Sequence, residues 1–215
     1  EMGQIKANNY CIGGYLKLDA AQPKKLNIFN DDKNTVLYNP HWDKGLSSFF
    51  KYGFEILDFF KDHPNMNLIF APHALLTKRN FMLRRRLKTY EKCTNIHMDY
   101  GSNYSHDFSY VKVADIYLGD VSSQALEFCL FEPRKCIFID VKQNTGNHYI
   151  SWGLGDVHSN SFNIANALSQ IDASYDDHYK VKQKRIIDEV FTIPKEKTST
   201  EKFAEELSLF IRSKS

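Results

Sequence analysis

An α/β fold, with a parallel sheet carrying helices on both faces, is predicted by three observations. Short apolar runs rich in β-branched and aromatic residues recur at 35 to 42, 67 to 73, 94 to 100, 116 to 118 and 135 to 140. Between them lie longer stretches with apolar residues at helical spacing, best developed at Phe49, Phe50, Phe54, Leu57, Phe59 and Phe60. Breakers then stop the runs and helices, among them Pro40, Pro64, Pro72, Gly101, Gly119 and Pro133. Strands that alternate with helices in this way build βα units, and the series ending in extra C-terminal helices reads as a Rossmann-like layer sandwich.

The clearest unit spans 114 to 140. Ile116 to Leu118 is an apolar run that stops at Gly119-Asp120. Ser122 or Ser123 can cap a following helix with Ala125, Leu126, Cys129 and Leu130 on its apolar side, and Pro133 ends it before the run Lys135 to Asp140. A helix start at the carboxyl end of a parallel strand offers backbone N–H groups, a positive dipole end and two hydroxyls, the chemistry that receives phosphate. The plainer alternative is that Asp120, Ser122 and Ser123 only cap the helix.

Earlier in the chain, residues 9 to 19 read as an incoming strand or linker and 20 to 34 as a polar surface loop. Thr35 to Trp42 is a buried strand that ends in Pro40-His41, and Asn67 to His73 is another that ends in Pro72-His73. Proline cannot continue a central strand, so His41, Trp42 and Asp43 lie on the loop leaving the carboxyl edge. Two strand-final Pro-His pairs point to a shared ligand-facing edge. Ser47 or Ser48 starts the helix that runs to about Lys61, residues 78 to 91 form a basic helix, and 107 to 114 a short one. After Asp140, the loop 141 to 152 is polar and aromatic, as a ligand-side loop would be, with Asn144, His148 and Trp152 as candidates. A short edge strand at 153 to 157, a helix starting at Ser159 or Asn160, and helices over 173 to 190 and 198 to 211 complete the pattern.

Composition narrows the function. Apolar and charged fractions of 42% and 25% are those of a globular protein, and a net charge of +2 demands no nucleic-acid partner. The positive charge is local: Lys78-Arg79 and Arg84 to Lys88 form a run that is either a solvated helix face or a surface for anionic lipid or a phosphorylated polymer. Cys11, Cys93, Cys129 and Cys136 have no CxxC spacing and read as free thiols in a reducing compartment, with Cys129 and Cys136 as small core residues. No stretch is apolar enough to span a bilayer and no signal peptide is visible, so a cytoplasmic location, peripheral at the inner membrane face, is expected. The sequence lacks the glycine-rich dinucleotide fingerprint, the P-loop, the nucleophile elbow and the paired-histidine metal motifs. What remains is phosphate recognition, with Ser122, Ser123 and a helix start as neutral donors and His73 and His41 as imidazoles for proton transfer or phosphoryl contact.

The residues also carry a resemblance. Tyr117-Leu-Gly-Asp-Val-Ser-Ser-Gln-Ala-Leu-Glu-Phe128, preceded by Ala114-Asp115 and followed by Pro133-Arg-Lys-Cys-Ile-Phe-Ile139, resembles the Asp-Tyr-Ser-Ser segment of CDP-glycerol glycerophosphotransferases of the teichoic-acid type. Val36-Leu-Tyr-Asn-Pro40 and Ile69-Phe-Ala-Pro-His73 are similar to two further strands of that family. Gly13-Gly-Tyr-Leu-Lys-Leu-Asp19 resembles the approach to the C-terminal half of GT-B enzymes, including UDP-N-acetylglucosamine 2-epimerases. In two places the chain departs from the pattern, since Pro72 precedes His73 where the family has His before Pro, and Gly119-Asp120 stands for Thr-Asp.

The resemblance implies the C-terminal, donor-binding half of a GT-B transferase that builds a capsule, teichoic acid or lipopolysaccharide. Residues 1–34 would be the interdomain linker, 35–172 the nucleotide-donor domain and 173–215 helices packed on it. Donor phosphate contacts would fall at Ser122, Ser123 and His73, with Gly119, Asp120 and Glu127 completing the donor-side set and His73 and His41 as catalytic groups. The donor would be a nucleotide-diphospho or CMP/CDP-linked compound, the acceptor would sit on an amino-terminal domain outside this chain, and neither cofactor nor metal is expected. A 2-epimerase-like sugar-nucleotide enzyme and a non-catalytic nucleotide-binding module are the alternatives.

Overall fold

The computed structural model describes residues 13–78, 80–143, 149–159 and 161–213, so residues 9 to 12, with Cys11, lie outside the described residues. They form two compact units. The larger covers residues 22–187 and contains the sheet; the smaller joins residues up to 21 with 188–215.

In the smaller unit the segment expected as strand or linker is instead a short helix, α1 (Leu16–Ala20). Its Asp19 carboxylate accepts from the backbone N–H of Thr200 at 2.6 Å and its hydroxyl at 2.8 Å, which occupies otherwise unpaired donors at the start of the C-terminal helix. That helix, Ser199–Arg212, begins with a reciprocal cap between Thr198 and Glu201.

The larger unit opens with β1 (Thr35–Asn39), α2 (Phe49–Asp62), β2 (Asn67–Phe70), α3 (Ala74–Lys78), α4 (Phe81–Leu87) and β3 (Ile96–Met98). It continues with β4 (Ile116–Gly119), α5 (Gln124–Phe128), β5 (Lys135–Ile139), β6 (Asp156–His158), α6 (Ile164–Ser174) and α7 (Lys180–Val190), whose last residues pass into the smaller unit. All six strands are parallel, in the order β3-β2-β1-β4-β5-β6. Helices cover both faces, so β1, β2 and β4 are buried along their whole length and read as continuous apolar runs. The α/β, Rossmann-like architecture expected from sequence is therefore the architecture of this unit.

Alternation along each strand divides the core. Val36, Tyr38, Leu68, Phe70, Ile116, Leu118, Ile137 and Ile139 pack with Phe49, Ile56, Leu57 and Phe60 of α2 and with Ile164, Ala167 and Ile171 of α6. Tyr117 turns to the other face, where it meets Phe128 of α5 and Phe138 of β5. Gly155 is required at the start of β6, since a Cβ there would lie 1.9 Å from the carbonyl oxygen of Cys136. Cys129 and Cys136 are buried thiols with sulfurs 3.5 Å apart.

Several local expectations change. The basic helix expected over 78 to 91 shortens to α4, which Asn80 caps through Leu83 N–H, followed by a 3-10 turn at Tyr90–Lys92, while Lys78 ends the separate α3. Residues 107 to 114 hold only a 3-10 turn, Tyr110–Lys112. Residues 150 to 154 form another, which confines the edge strand to Asp156–His158. Asn163 caps α6 in place of Ser159 or Asn160, of which Asn160 lies outside the described residues. Unit boundaries also fall elsewhere than 34 and 172. Residues 22–34 are tied to the sheet unit by Lys24 N–H on Ser109 Oγ and by Asn67 Nδ2 on Asp31. Residues 173–187 stay with it because fully buried Gln183 accepts from Arg134 N–H and donates to the carbonyls of Arg134 and Leu154. Among the described residues, no helix is long and apolar enough to cross a membrane.

Candidate functional site

The sheet runs outward from β1 to β3 and then starts again on the other side of β1 at β4, so the topological switch point lies between the carboxyl ends of β1 and β4. Open α/β sheets bind ligands in the crevice at this point, where two neighbouring strands send their loops in opposite directions.

Two imidazoles meet beside it. The β1/β2 ladder continues past the strands, with Ala71 N–H on the Tyr38 carbonyl and His73 N–H on the Pro40 carbonyl. The sequence offset that pairs Thr35 with Asn67 is also the offset from His41 to His73. Register therefore brings the two Pro-His pairs side by side, and the rings lie 6.2 Å apart between centroids. Each ring is held in the same way. Nδ1 of His41 accepts from Asp43 N–H at 3.0 Å, and Nδ1 of His73 from Leu75 N–H at 3.2 Å. An Nδ1 that accepts is unprotonated, so in each neutral ring the proton sits on Nε2, which is a donor. Trp42 stacks on His41 at 5.5 Å, stands 6.2 Å from His73 and is 44% exposed. It adds an open aromatic face to the pair.

Asp120 fixes this edge. Its side chain is fully buried, and its two oxygens accept from His41 N–H at 2.9 Å, Val121 N–H at 2.9 Å, Ser48 N–H at 2.7 Å and Ser48 Oγ at 2.8 Å. The Ser48 hydroxyl, having donated to Asp120, accepts from the buried Tyr38 hydroxyl at 3.0 Å. Trp152 Nε1 donates to the Asp120 carbonyl at 2.9 Å. The end of β4 is thereby tied to the β1-α2 loop, to the start of α2 and to the turn at 150 to 154. Expected as ligand contacts, Asp120 and Trp152 instead face inward and position the groups around them.

The remaining candidates divide in the same way. Asn39 ends β1 with its Oδ1 accepting from Tyr117 OH and Ser122 Oγ, both at 3.2 Å, and its Nδ2 donating to the Ala71 carbonyl at 2.6 Å. Gly119 leaves room for that bond, because a Cβ there would lie 2.8 Å from the hydroxyl of fully buried Tyr117. Ser122 Oγ also accepts from Gln124 N–H at 3.1 Å. Ser123 is the N-cap residue and exposed, and its side chain makes no capping bond. Glu127 is buried on α5. α5 is only five residues long, so it supplies a single turn of N–H groups and little of the dipole expected of it. Asn144 and His148 lie outside the described residues. Among the described residues, no three His, Cys, Asp or Glu side chains gather to hold a metal ion.

The division of labour between the two serines has a direct check. Ser122→Ala removes a hydroxyl used twice and should cost about 1 kcal/mol, whereas Ser123→Ala should cost less than about 0.5 kcal/mol. Equal losses in thermal melts of the two variants would contradict the assignment.

Electrostatics follow from burial. Burial lowers His41 and His73 below the ordinary 6.5, with the charge of His73 acting in the same direction on His41 and that of His106 on His73; Asp43 partly offsets the effect on His41. Burial raises the Asp120 carboxyl to about 6, against the donors from Ser48, His41 and Val121 that hold it down. These groups bend stability in opposite directions. In the unfolded chain the histidines take up protons first as pH falls, so their contribution is complete above about 6.5 and is lost as pH drops through the lowered folded-state values. Asp120 keeps a proton in the folded state that the unfolded chain releases between 3.8 and about 6, so its contribution declines as pH rises through that window. The fall in melting temperature below pH 6.5 should be shallower when both His41 and His73 are replaced by Asn, and an unchanged profile would show that these rings do not titrate on unfolding.

Asn39, Ser48 and Trp42 join the site without being among the candidates that the sequence suggests. A readable signal exists only for Trp42, placed on the strand-final loop by Pro40. The site partners that place Ser48 and Asn39, Asp120 and Ser122, are 72 and 83 positions away and lie outside any local pattern.

No protein-family model matches the chain, and no curated protein matches it. Solved structures that the chain matches include the S. aureus MnaA-UDP co-structure, at 16% identity and a TM-score of 0.46 over 78% of this chain and 48% of that one. Another is Thermosulfurimonas dismutans KpsC, a beta Kdo 2,4 transferase, at 11% identity and a TM-score of 0.44 over 78% of this chain and 47% of that one. The chain thus matches about half the length of each.

Proposed function

We propose that residues 22–187 bind the nucleotide-phosphate end of an activated donor, nucleotide-diphospho or CMP/CDP-linked, and form the donor half of a GT-B transferase that acts on a cell-envelope polymer. The observation that carries the proposal is the His41/His73 pair beside the β1/β4 switch point, two neutral rings whose Nδ1 atoms are occupied and whose Nε2–H groups are donors. Phosphate oxygens accept from such donors without any change of protonation. The Ser123 hydroxyl and the N–H groups that begin α5 stand at the neighbouring strand end and add to the anion-binding set.

In the reaction an acceptor hydroxyl, held by a second domain, attacks the transferred glycerophosphate or sugar in line with the bond to the nucleotide phosphate. The new bond forms to the acceptor oxygen as the old one breaks. The electron pair of the broken bond leaves on the nucleotide phosphate, and the acceptor proton passes to a base of the second domain. Charge grows on the departing phosphate, where the His41 and His73 donors strengthen their hydrogen bonds, so they lower the barrier as well as bind. Trp42 offers a stacking face for the base or the transferred ring. Calorimetric titration with UDP, CDP-glycerol and a CMP-sugar tests the proposal: one of them should bind, and no heat with any of the three would refute it.

A further inference from the structure

We infer that α3 and α4 form a docking surface for an anionic lipid bilayer, independent of the donor site. From Ala74 to Tyr90 the chain carries six basic residues and no acidic one. Such a run alone describes a solvated helix. The structure adds that Phe81 is 77% and Met82 71% exposed, while Leu87 is buried and Leu83 packs against the core. At 100° per residue, Phe81, Met82 and Arg85 share the face opposite Leu83 and Leu87, and Arg86 and Lys88 flank it. A helix that places an aromatic ring and a thioether outward among arginines matches an interface with an apolar interior beneath a negative surface. A soluble polyanion uses the charges and has no use for the apolar pair.

The surface extends beyond α4. Leu75 on α3 is a third exposed apolar residue, 41% accessible, beside Lys78. Between α2 and α4 an open groove of about 560 Å3 is lined by Phe54, Met82, Arg85 and Arg86. Arg86 lies 3.5 Å over the Phe54 ring and Arg84 5.1 Å over the Tyr100 ring, so both guanidinium groups are oriented against aromatic faces. The groove offers a headgroup phosphate Arg85 and the ring-oriented Arg86, next to Met82, one of the side chains that would enter the acyl boundary. Because α3 follows His73 directly, docking here would hold the β2 end of the sheet near the membrane.

The test is co-sedimentation of the full chain with vesicles of phosphatidylcholine and with vesicles containing roughly one-third phosphatidylserine. Binding should require the anionic lipid and weaken with salt. Replacing Arg85 and Lys88 by Glu should lower it by at least about fivefold per basic residue. Replacing Phe81 and Met82 by Ser should lower it by about tenfold and leave the melting temperature unchanged, since both side chains are exposed. A heparin column run in parallel identifies a polyanion site. The inference is overturned if vesicles fail to bind, if lipid charge makes no difference, or if the Phe81 and Met82 changes leave binding intact while the charge reversals abolish binding to heparin and vesicles alike.

Discussion

Replacing Asp120 by Asn is expected to destabilise residues 22–187 by about 2 to 4 kcal/mol at neutral pH. The two shapes are nearly identical, but the carboxylate presents acceptors on both oxygens to four donors from His41, Ser48 and Val121. An amide has one oxygen and one NH2, so whichever way it turns its NH2 faces at least one backbone N–H in a fully buried site: His41 and Val121 in one orientation, Ser48 in the other, where only the Ser48 hydroxyl can turn to accept. Asp120→Ala should cost at least as much, because it leaves all three backbone donors without their acceptor. Ser48→Ala should cost less, about 1 to 2 kcal/mol, since the Ser48 backbone N–H still reaches Asp120 while the Tyr38 hydroxyl loses its acceptor. Urea unfolding of the three variants gives the ranking. An Asp120→Asn protein as stable as the parent would mean that this carboxylate does not tie the strand ends together.

Nucleotide affinity should respond most strongly to the imidazoles, and the choice of replacement separates function from fold. Asn places its Oδ1 where a histidine has Nδ1, so His41→Asn and His73→Asn keep an acceptor for Asp43 N–H or Leu75 N–H and delete the Nε2–H. Each change should weaken nucleotide binding by about tenfold, and the pair by about a hundredfold, from hydrogen bonds to a charged group worth roughly 1.5 to 3 kcal/mol each. Melting temperature at pH 7.5 should stay close to that of the parent. The rings touch the same ligand, so departure from additivity in the double variant measures their coupling. Gln, which puts its amide nearer the Nε2 position, should recover part of the affinity. If affinity per folded molecule is unchanged in the double Asn variant, the rings are structural and the proposed donor site is wrong.

Part of the fold and of the site is legible in the sequence because it is local. Proline after an apolar run marks where a strand must stop, so Pro40 and Pro72 by themselves put His41 and His73 on the carboxyl edge. The helical period of Phe49 to Phe60 gives α2 to within a residue or two. Elsewhere the same local reading misleads. The pattern at 122 to 130 is a good helix start, yet the chain closes only the five residues Gln124–Phe128, with Cys129 already the C-cap. Residues 78 to 91 read as one helix, but only Phe81–Leu87 is α-helical, started by the Asn80 cap and followed by a 3-10 turn at Tyr90–Lys92.

Periodicity, breakers and charge are properties of neighbours along the chain, and they suffice to specify a parallel α/β protein with two imidazoles at a strand edge and a basic run nearby. What those groups touch depends on the folded arrangement. Strand order places β4 beside β1, and that adjacency turns Asp120 from a candidate ligand contact into the buried acceptor that holds His41 and Ser48. Register brings His41 and His73 to 6.2 Å, and the burial of Leu87 turns Phe81 and Met82 outward among the arginines. In each case the deciding contact joins residues whose order in space is set by strand pairing and by which face of an element is buried, and local sequence carries no record of either.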